Sequence, residues 1–357
     1  MIDVAANLKY SELLTTLASE LNDANFSPRG HEFKVMMRES NDLIAEATCI
    51  RQGEYSAEIS YGLIQQLTSD SKSFFDNYRR IIEESSEKAP IRALHSATTP
   101  ASFSENREDF VNNCICGGIT WLLFHELAHI TQGHLSIGVD NPNAYPHGIS
   151  ESSDQSGCAN YAEIELKQTK ELAADYQASR MCAIEILRHH QENPLSCVNN
   201  LHEMLVGVTI LFYRLYGCRG EIHVEPPKGS HPHPVVRLEL VIAHVMEVMD
   251  ILHLASDSTL TREEGRLSMV LACWIASYYC FEVMNPAEKV SLEHLPLPVL
   301  QRDGSPAYFT RIVAVWDKIL PQIIQNDTFI DPKLLMSFNE SFRQRLTTTS
   351  AAIEPLA

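Results

Sequence analysis

The sequence lacks the usual marks of a secreted or membrane protein. Its nine cysteines are an odd number, they are widely scattered, and no C-x-x-C pair occurs among them. A disulfide framework is therefore not expected. The N-terminus has no basic region followed by an apolar run, so no signal peptide is expected either. These absences predict a cytoplasmic protein.

Long apolar runs and positive charge are also scarce. The longest apolar run covers residues 267–281, fifteen residues in all, whereas a membrane span needs about 20. We interpret it as a buried core helix. The chain has 28 basic and 46 acidic residues and a net charge of −18. That balance disfavours nucleic acid or an anionic membrane as the main partner, because both require basic surface.

Hydrophobic periodicity predicts an α+β protein that is mostly helical. Extended runs occur only near the N-terminus, at 32–37, 43–50 and 55–61, and they predict a small antiparallel sheet. Helical spacing covers 10–25, 62–67, 71–85, 110–130, 161–190, 201–216, 235–254, 261–284, 307–326 and 332–346. Residues 136–160 are polar and rich in Gly, Asn, Pro and Ser. They predict a long loop, either a mobile flap or a disordered insertion.

One helix carries the pattern His125-Glu126-x-x-His129. Side chains four residues apart lie on the same helix face, so both imidazoles can bind one Zn²⁺. Glu126 is then placed to take a proton from a water on that ion. Ser104 or Asn106 could cap the start of the helix, and Gly133 is placed to end it. So short a pattern also arises by chance, which makes the rest of the site decisive.

A zinc ion held by two histidines needs a third protein ligand. His134 is one candidate, but it lies five residues after His129, about 140° round a helix. A longer H-E-x-x-H-x-x-G-x-x-H site is excluded because Gln132 and Leu135 occupy its remaining positions. A polar cap near the site is therefore favoured for His134 over a ligand role.

Glu171 and Asp175 are the second candidates. They lie four residues apart on a helix face that continues through Ala178 and Cys182, which indicates that this face points inward. Two inward carboxylates need a partner, since an unpaired buried charge is costly. Glu171 would be the third zinc ligand, and Asp175 would accept a hydrogen bond from a ligand histidine. The alternative is an exposed glutamate and a buried structural aspartate.

The third candidate is the segment from Ser230 to Arg237, which contains two His-Pro pairs just before a helix. His231 could bind the metal, but a hydrogen bond to the oxyanion of a tetrahedral intermediate suits it better. Arg237 could hold the loop or an acidic group. The alternative is that His231 and His233 are loop residues without a chemical role.

Taken in order, these blocks resemble the gluzincin zinc metallopeptidases of the CAAX prenyl protease and HtpX type. The soluble phage-exclusion (Lit-like) peptidases share the pattern and are the nearer comparison, because this chain has no predicted membrane span. The resemblance covers roughly residues 43–240. It implies a zincin-like core with Zn²⁺ bound by His125, His129 and Glu171, Glu126 as the general base, Asp175 supporting a ligand, and His231 and Arg237 near the oxyanion. The Pro-rich block leaves open whether His231 or His233 faces the metal.

We therefore predict a zinc-dependent endopeptidase that hydrolyses peptide bonds of a protein substrate through a metal-activated water. Residues 1–258 would form the zincin-like domain, with an N-terminal helix and sheet, and residues 259–357 a helical extension packed on the same core. By analogy with the family, the strand at 55–61 would pair with the substrate backbone.

Two other functions compete with this prediction. The first is a catalytically inactive, zinc-stabilised interaction or defence module that binds a protein partner. A decayed site would be expected to lose Glu126 before its ligands, so the presence of Glu126 favours an enzyme. The second is a zinc hydrolase that acts on a non-peptide bond, which the ligands alone do not distinguish.

Overall fold

The computed structural model describes residues 4–86, 103–138, 147–150, 160–190, 194–216, 229–251, 262–285, 299–325 and 335–353. Within these ranges the protein is mostly helical, as predicted. The helices are α1 (Val4–Leu21), α2 (Tyr61–Ser86), α3 (Arg107–Thr131), α4 (Tyr161–His189), α5 (Pro194–Leu215), α6 (Pro234–Ile251), α7 (Arg262–Tyr279), α8 (Ser305–Gln325) and α9 (Glu340–Ile353). The strands are β1 (Glu32–Arg38), β2 (Ala45–Arg51), β3 (Glu54–Ser60) and β4 (His147–Ser150).

The four strands form a mixed sheet in the order β1-β3-β2-β4. Strand β2 pairs antiparallel with β3 and with β4, whereas β1 pairs parallel with β3 and sets Phe33 opposite Tyr55. The predicted small N-terminal sheet is confirmed, but its wholly antiparallel pairing is wrong. The β2–β3 hairpin docks on β1 through its second strand, so β3 runs in the same direction as β1.

Strand β3 is hydrogen-bonded on both sides, to β1 and to β2. The expectation that residues 55–61 pair with a substrate backbone is therefore wrong, because an added strand needs a free edge. Strand β4 comes from the segment predicted as a loop, and it pairs Ile149 with Ala47. A four-residue strand with one large apolar residue gives no periodic signal. The rest of that segment, 139–146 and 151–159, lies outside the described residues.

Helix α3 is the central helix of the core. It packs between α4 and α5, touches α2 and the sheet, and is buried on almost every side from Phe110 onward. Asn106 caps its start, since its side chain accepts the backbone N–H groups of Glu108 and Asp109. Beyond its end, Gly133 adopts a left-handed conformation with φ of 66°, as the sequence predicted.

Glycines bring the backbones of α3 and α5 together. A Cβ atom on Gly117 would lie 2.8 Å from the Cα atom of Met204. A Cβ atom on Gly207 of α5 would meet the carbonyl oxygen of Cys114. The two backbones therefore approach closely at this crossing, which accounts for the glycines in an otherwise uninterrupted helix.

Gly207→Ala is expected to lower the free energy of unfolding by about 1–3 kcal/mol, because the added methyl group forces two helix backbones apart. Gly265→Ala is the matched control, since nothing lies within 4 Å of a Cβ atom built on Gly265 of α7. That substitution should stabilise the protein by about 0.5–1 kcal/mol through helix propensity. Urea denaturation measures both changes, and equal effects would show that the α3–α5 contact is not tight.

Of the two C-terminal helices, α8 packs against α4 and α9 packs on α8. Tyr308 and Phe309 of α8 share a hydrophobic cluster with Leu172 of α4, and the Nε atom of Arg311 lies 2.6 Å from a carboxylate oxygen of Glu165. The predicted boundary between residues 258 and 259 lies outside the described residues. The division of the chain at that point stays a prediction.

One described segment, Glu263–Met284, is long and apolar enough at 22 residues to cross a membrane by length and composition. It contains α7 and the run that the sequence predicted to be a core helix. In the structure, 67% of its most apolar window is buried inside the protein. Core helices of globular proteins pass the same test, so the segment is weak evidence for a membrane span.

Candidate metal centre

His125 and His129 lie one helical turn apart on α3, and both are fully buried. Their ring centroids are 4.8 Å apart and their Nε2 atoms 3.0 Å apart. Trp121, one turn earlier, stacks on His125 with centroids separated by 5.1 Å. The helix geometry and this packing aim both Nε2 atoms at one point.

Glu171 of α4 reaches the same point. One carboxylate oxygen lies 3.2 Å from Nε2 of His125, and the other lies 3.5 Å from Nε2 of His129. The three residues are buried, each offers a ligand atom within 4.8 Å of the others, and together they could hold a metal ion. Four-coordinate zinc with bonds of about 2.0–2.1 Å separates neighbouring ligand atoms by about 3.3–3.4 Å. The observed spacings and the two-imidazole, one-carboxylate donor set therefore fit an ion of that size and preference.

Asp175 lies behind His125, on the side away from Glu171. Its Oδ1 atom is 3.0 Å from Nδ1 of His125. Burial raises the pKa of Asp175, but the charge and hydrogen bonds of Arg237 outweigh burial and hold this pKa below its usual value. An ionised Asp175 beside Nδ1 of His125 favours a proton on that nitrogen, with the lone pair of the ring on Nε2.

Arg237, at the start of α6, is the charged partner of Asp175. It donates from Nε and from Nη2 to the two oxygens of Asp175, with both distances at 2.8 Å. Its guanidinium carbon lies 4.1 Å from the ring centroid of Phe212. The pair is fully enclosed, since Arg237 is 3% exposed and Asp175 is 0% exposed. Of the two roles left open for Arg237, the contact with an acidic group is the one observed.

The two histidines of the Pro-rich block point to different places. Nε2 of His231 lies 3.4 Å from Glu171, and Ser230 Oγ lies 2.8 Å from Nδ1 of His231. His233 instead accepts the backbone N–H of Val235 at 3.2 Å, and its ring lies against Tyr216. His231 thus faces the cluster, and His233 caps the start of α6. Gln168 of α4 holds the segment by donating to the carbonyl oxygens of His231 and Gly229.

Glu126 follows His125 directly on α3 and is fully buried. Its neighbours on the helix, including Leu122, Leu123 and Leu127, are buried apolar residues. Its role as a base stays a prediction.

His134 lies behind His129 rather than among the three clustered residues. Its Nδ1 atom is 3.0 Å from Nδ1 of His129, the ring nitrogen that points away from Glu171. Burial lowers the pKa of His134 well below its usual value, as does the charge of Lys170, so the ring is neutral. The geometry therefore does not favour His134 as a ligand of the same ion.

Lys170 is a buried neighbour of the cluster to which the sequence assigned no role. Its ammonium group is buried and donates to the carbonyl oxygens of His134 and Ile137, at 2.8 and 2.6 Å. Burial lowers the pKa of Lys170 to about 8, although the Glu171 carboxylate opposes that shift. Its position next to Glu171 on an inward helix face was the one available signal.

A cavity of about 770 Å³ lies elsewhere, between α6, α7 and the C-terminal segment. Leu238, Ile242, Trp274 and Phe338 are among its lining residues, and none of the three clustered residues is. This cavity is therefore separate from the three clustered residues.

The part of the chain that carries the cluster also matches a known family. The family model of Peptidase U49 matches residues 43–250, which is more than half of the chain and contains every residue described above around the cluster. No curated protein and no solved structure matches the chain.

Proposed function

Because the chain belongs to the peptidase U49 family, we propose that it is a zinc-dependent endopeptidase. Membership makes it a peptidase, whose substrates are proteins or peptides. The zinc dependence is our proposal, and one observation carries it: His125, His129 and Glu171 converge from two helices with the spacing of metal ligands. The resemblance to the gluzincin class supports the same conclusion.

His125, His129 and Glu171 would hold the ion. When bound, zinc lowers the pKa of a water molecule towards about 7 and polarises the scissile carbonyl. The protein itself supplies the orientation of the ligands. Asp175 fixes the ring of His125 through the 3.0 Å contact at Nδ1, and Arg237 keeps Asp175 ionised.

Glu126 would act as the general base. It would accept a proton from the attacking water and deliver it to the leaving nitrogen, which converts the amine into a good leaving group. Its burial excludes bulk water that would otherwise compete for the same proton.

His231 would stabilise the oxyanion. If the hydroxyl of Ser230 donates to Nδ1 of His231, across 2.8 Å, the ring proton lies on Nε2, the atom that faces Glu171. An N–H group there can donate to a developing oxyanion, a contribution on the order of 2–4 kcal/mol. His233 has no part in the proposal, because it caps α6.

The metal content of the purified protein tests the proposal. Zinc should copurify at about one ion per chain, and Glu171→Ala should lose it on dialysis, since two imidazoles hold the ion weakly. Glu163→Ala is the control: it makes the same change on the same helix, at an exposed residue paired with Lys167. Circular dichroism checks that each variant is folded.

Two results would overturn the proposal. One is a wild-type protein without zinc after purification and after addition of zinc. The other is equal zinc content in the Glu171 and Glu163 variants. A zinc-loaded protein that cuts no peptide in a large defined library would instead support the inactive interaction module.

A further inference from the structure

The contact between His129 and His134 constrains the protons of both rings. Two Nδ1 atoms 3.0 Å apart form a hydrogen bond in which one nitrogen carries the proton and the other accepts it. Both rings are fully buried, so solvent does not supply an alternative partner. The direction of this hydrogen bond decides which nitrogen of His129 is available as a ligand.

If His134 donated, the proton of a neutral His129 would be on Nε2. That N–H would point into the cluster, where Nε2 of His125 lies 3.0 Å away, and His129 could not bind a metal ion. If His129 donates, its Nε2 atom has a free lone pair. The proton of His134 is then on Nε2, which is buried without a hydrogen-bond partner among the described residues.

We propose that His134 is a positioning residue that accepts the Nδ1 proton of His129 and so fixes its ring and tautomer for metal binding. Asp175 has the same relation to His125, across the same distance of 3.0 Å. The inference rests on the proposed metal site. It assigns each ligand histidine its own hydrogen-bond acceptor, an anionic one for His125 and a neutral one for His129.

The turn after α3 is built to hold His134 in this position. Gly133 has a left-handed backbone with φ of 66°, which turns the chain back, and the backbone N–H of His134 donates to the carbonyl oxygen of His129 at 2.9 Å. Lys170 then fastens the turn by binding the carbonyl oxygens of His134 and Ile137. Because Lys170 precedes Glu171 on α4, the helix that supplies the third ligand also anchors the residue that orients the second.

Zinc affinity, measured by competition with a chromogenic chelator, tests the inference. His134→Phe keeps a ring of similar size but removes the acceptor, and loss of such a partner lowers metal affinity about 10–100-fold. His134→Asn places a side-chain oxygen close to the position of Nδ1 and should restore most of the affinity. His202→Phe is the control, because His202 is a buried histidine on α5 that contacts Ser268 and lies outside the site.

Nitrogen NMR of the histidine rings gives a second readout, independent of affinity. In the zinc-loaded wild-type protein, His129 should carry its proton on Nδ1 and His134 on Nε2. A proton on Nδ1 of His134 would overturn the inference.

The outcomes separate this inference from the proposed function. If the wild-type protein and His134→Phe bind zinc equally while Glu171→Ala does not, the metal site stands and the role of His134 is wrong. If the wild-type protein binds no zinc, both fail. Should His134→Phe not fold, the Asn variant and the NMR spectrum of the wild-type protein still decide.

Discussion

Glu126→Gln is expected to lower peptide-bond hydrolysis by about 10²–10⁴-fold without changing the zinc content. Glutamine has nearly the same shape as glutamate but cannot accept a proton from water. Because Glu126 is fully buried on α3, a neutral amide fits its position without the cost of burying a charge. The substitution therefore isolates the chemistry of one carboxylate from the structure of the site.

The measurement is cleavage of a defined library of unstructured peptides, read by mass spectrometry, with metal analysis of the same samples. Glu163→Gln on the exposed face of α4 serves as the control for a loss of one negative charge. An unchanged cleavage rate in Glu126→Gln would refute the assignment of the base while leaving the ligands untouched. Loss of zinc from that variant would instead give Glu126 a structural role.

The helices and the residues of the cluster could be predicted from the sequence, because both follow from local rules. A four-residue spacing places His125 above His129, and Glu171 above Asp175, whatever the tertiary structure is. The inward direction of the second pair followed from Ala178 on the same face. The structure brings these two helix faces together, although the roles of the residues stay predictions.

The arrangement of the sheet was harder to predict from the sequence, because strand order depends on tertiary contacts. No local feature of the β2–β3 hairpin determines which of its two strands pairs with β1, so the parallel β1–β3 pair could not be inferred. Strand β4 is held by backbone pairing with β2, and Gly148 in it lies close against β2: a Cβ atom there would be 2.9 Å from the carbonyl oxygen of Ala47. Such pairing leaves no alternating pattern in the sequence.

The position of the His134 ring could not be predicted by continuing the α3 helix past His129. Five residues after His129, an uninterrupted helix would carry it about 140° away from the ligand face. The helix ends at Thr131, however, and the left-handed Gly133 reverses the chain. The ring of His134 consequently reaches the far nitrogen of His129, a position that no fixed rotation per residue predicts.

Arg237→Met is expected to lower the free energy of unfolding by about 3–5 kcal/mol. The substitution keeps a long apolar side chain against Phe212 but leaves the Asp175 carboxylate buried without the cation that neutralises it. Asp175 is fully buried, so water cannot replace the two 2.8 Å hydrogen bonds from Arg237. The cost is therefore that of an uncompensated charge, and adding Asp175→Asn to Arg237→Met should recover part of it.

Arg343→Met is the matched control for this prediction. Arg343 also makes a two-pronged contact with Asp317, through Nη1 and Nη2 and with both distances at 2.8 Å, but the side chains are 36% and 47% exposed. Solvent screens an exposed pair, so its loss should cost no more than about 1 kcal/mol. Chemical denaturation of the two variants compares two bidentate pairs of equal hydrogen-bond length in a buried and an exposed environment. If Arg237→Met cost no more than Arg343→Met, the carboxylate of Asp175 would not depend on Arg237 for its charge, and its hold on the ring of His125 would need another source.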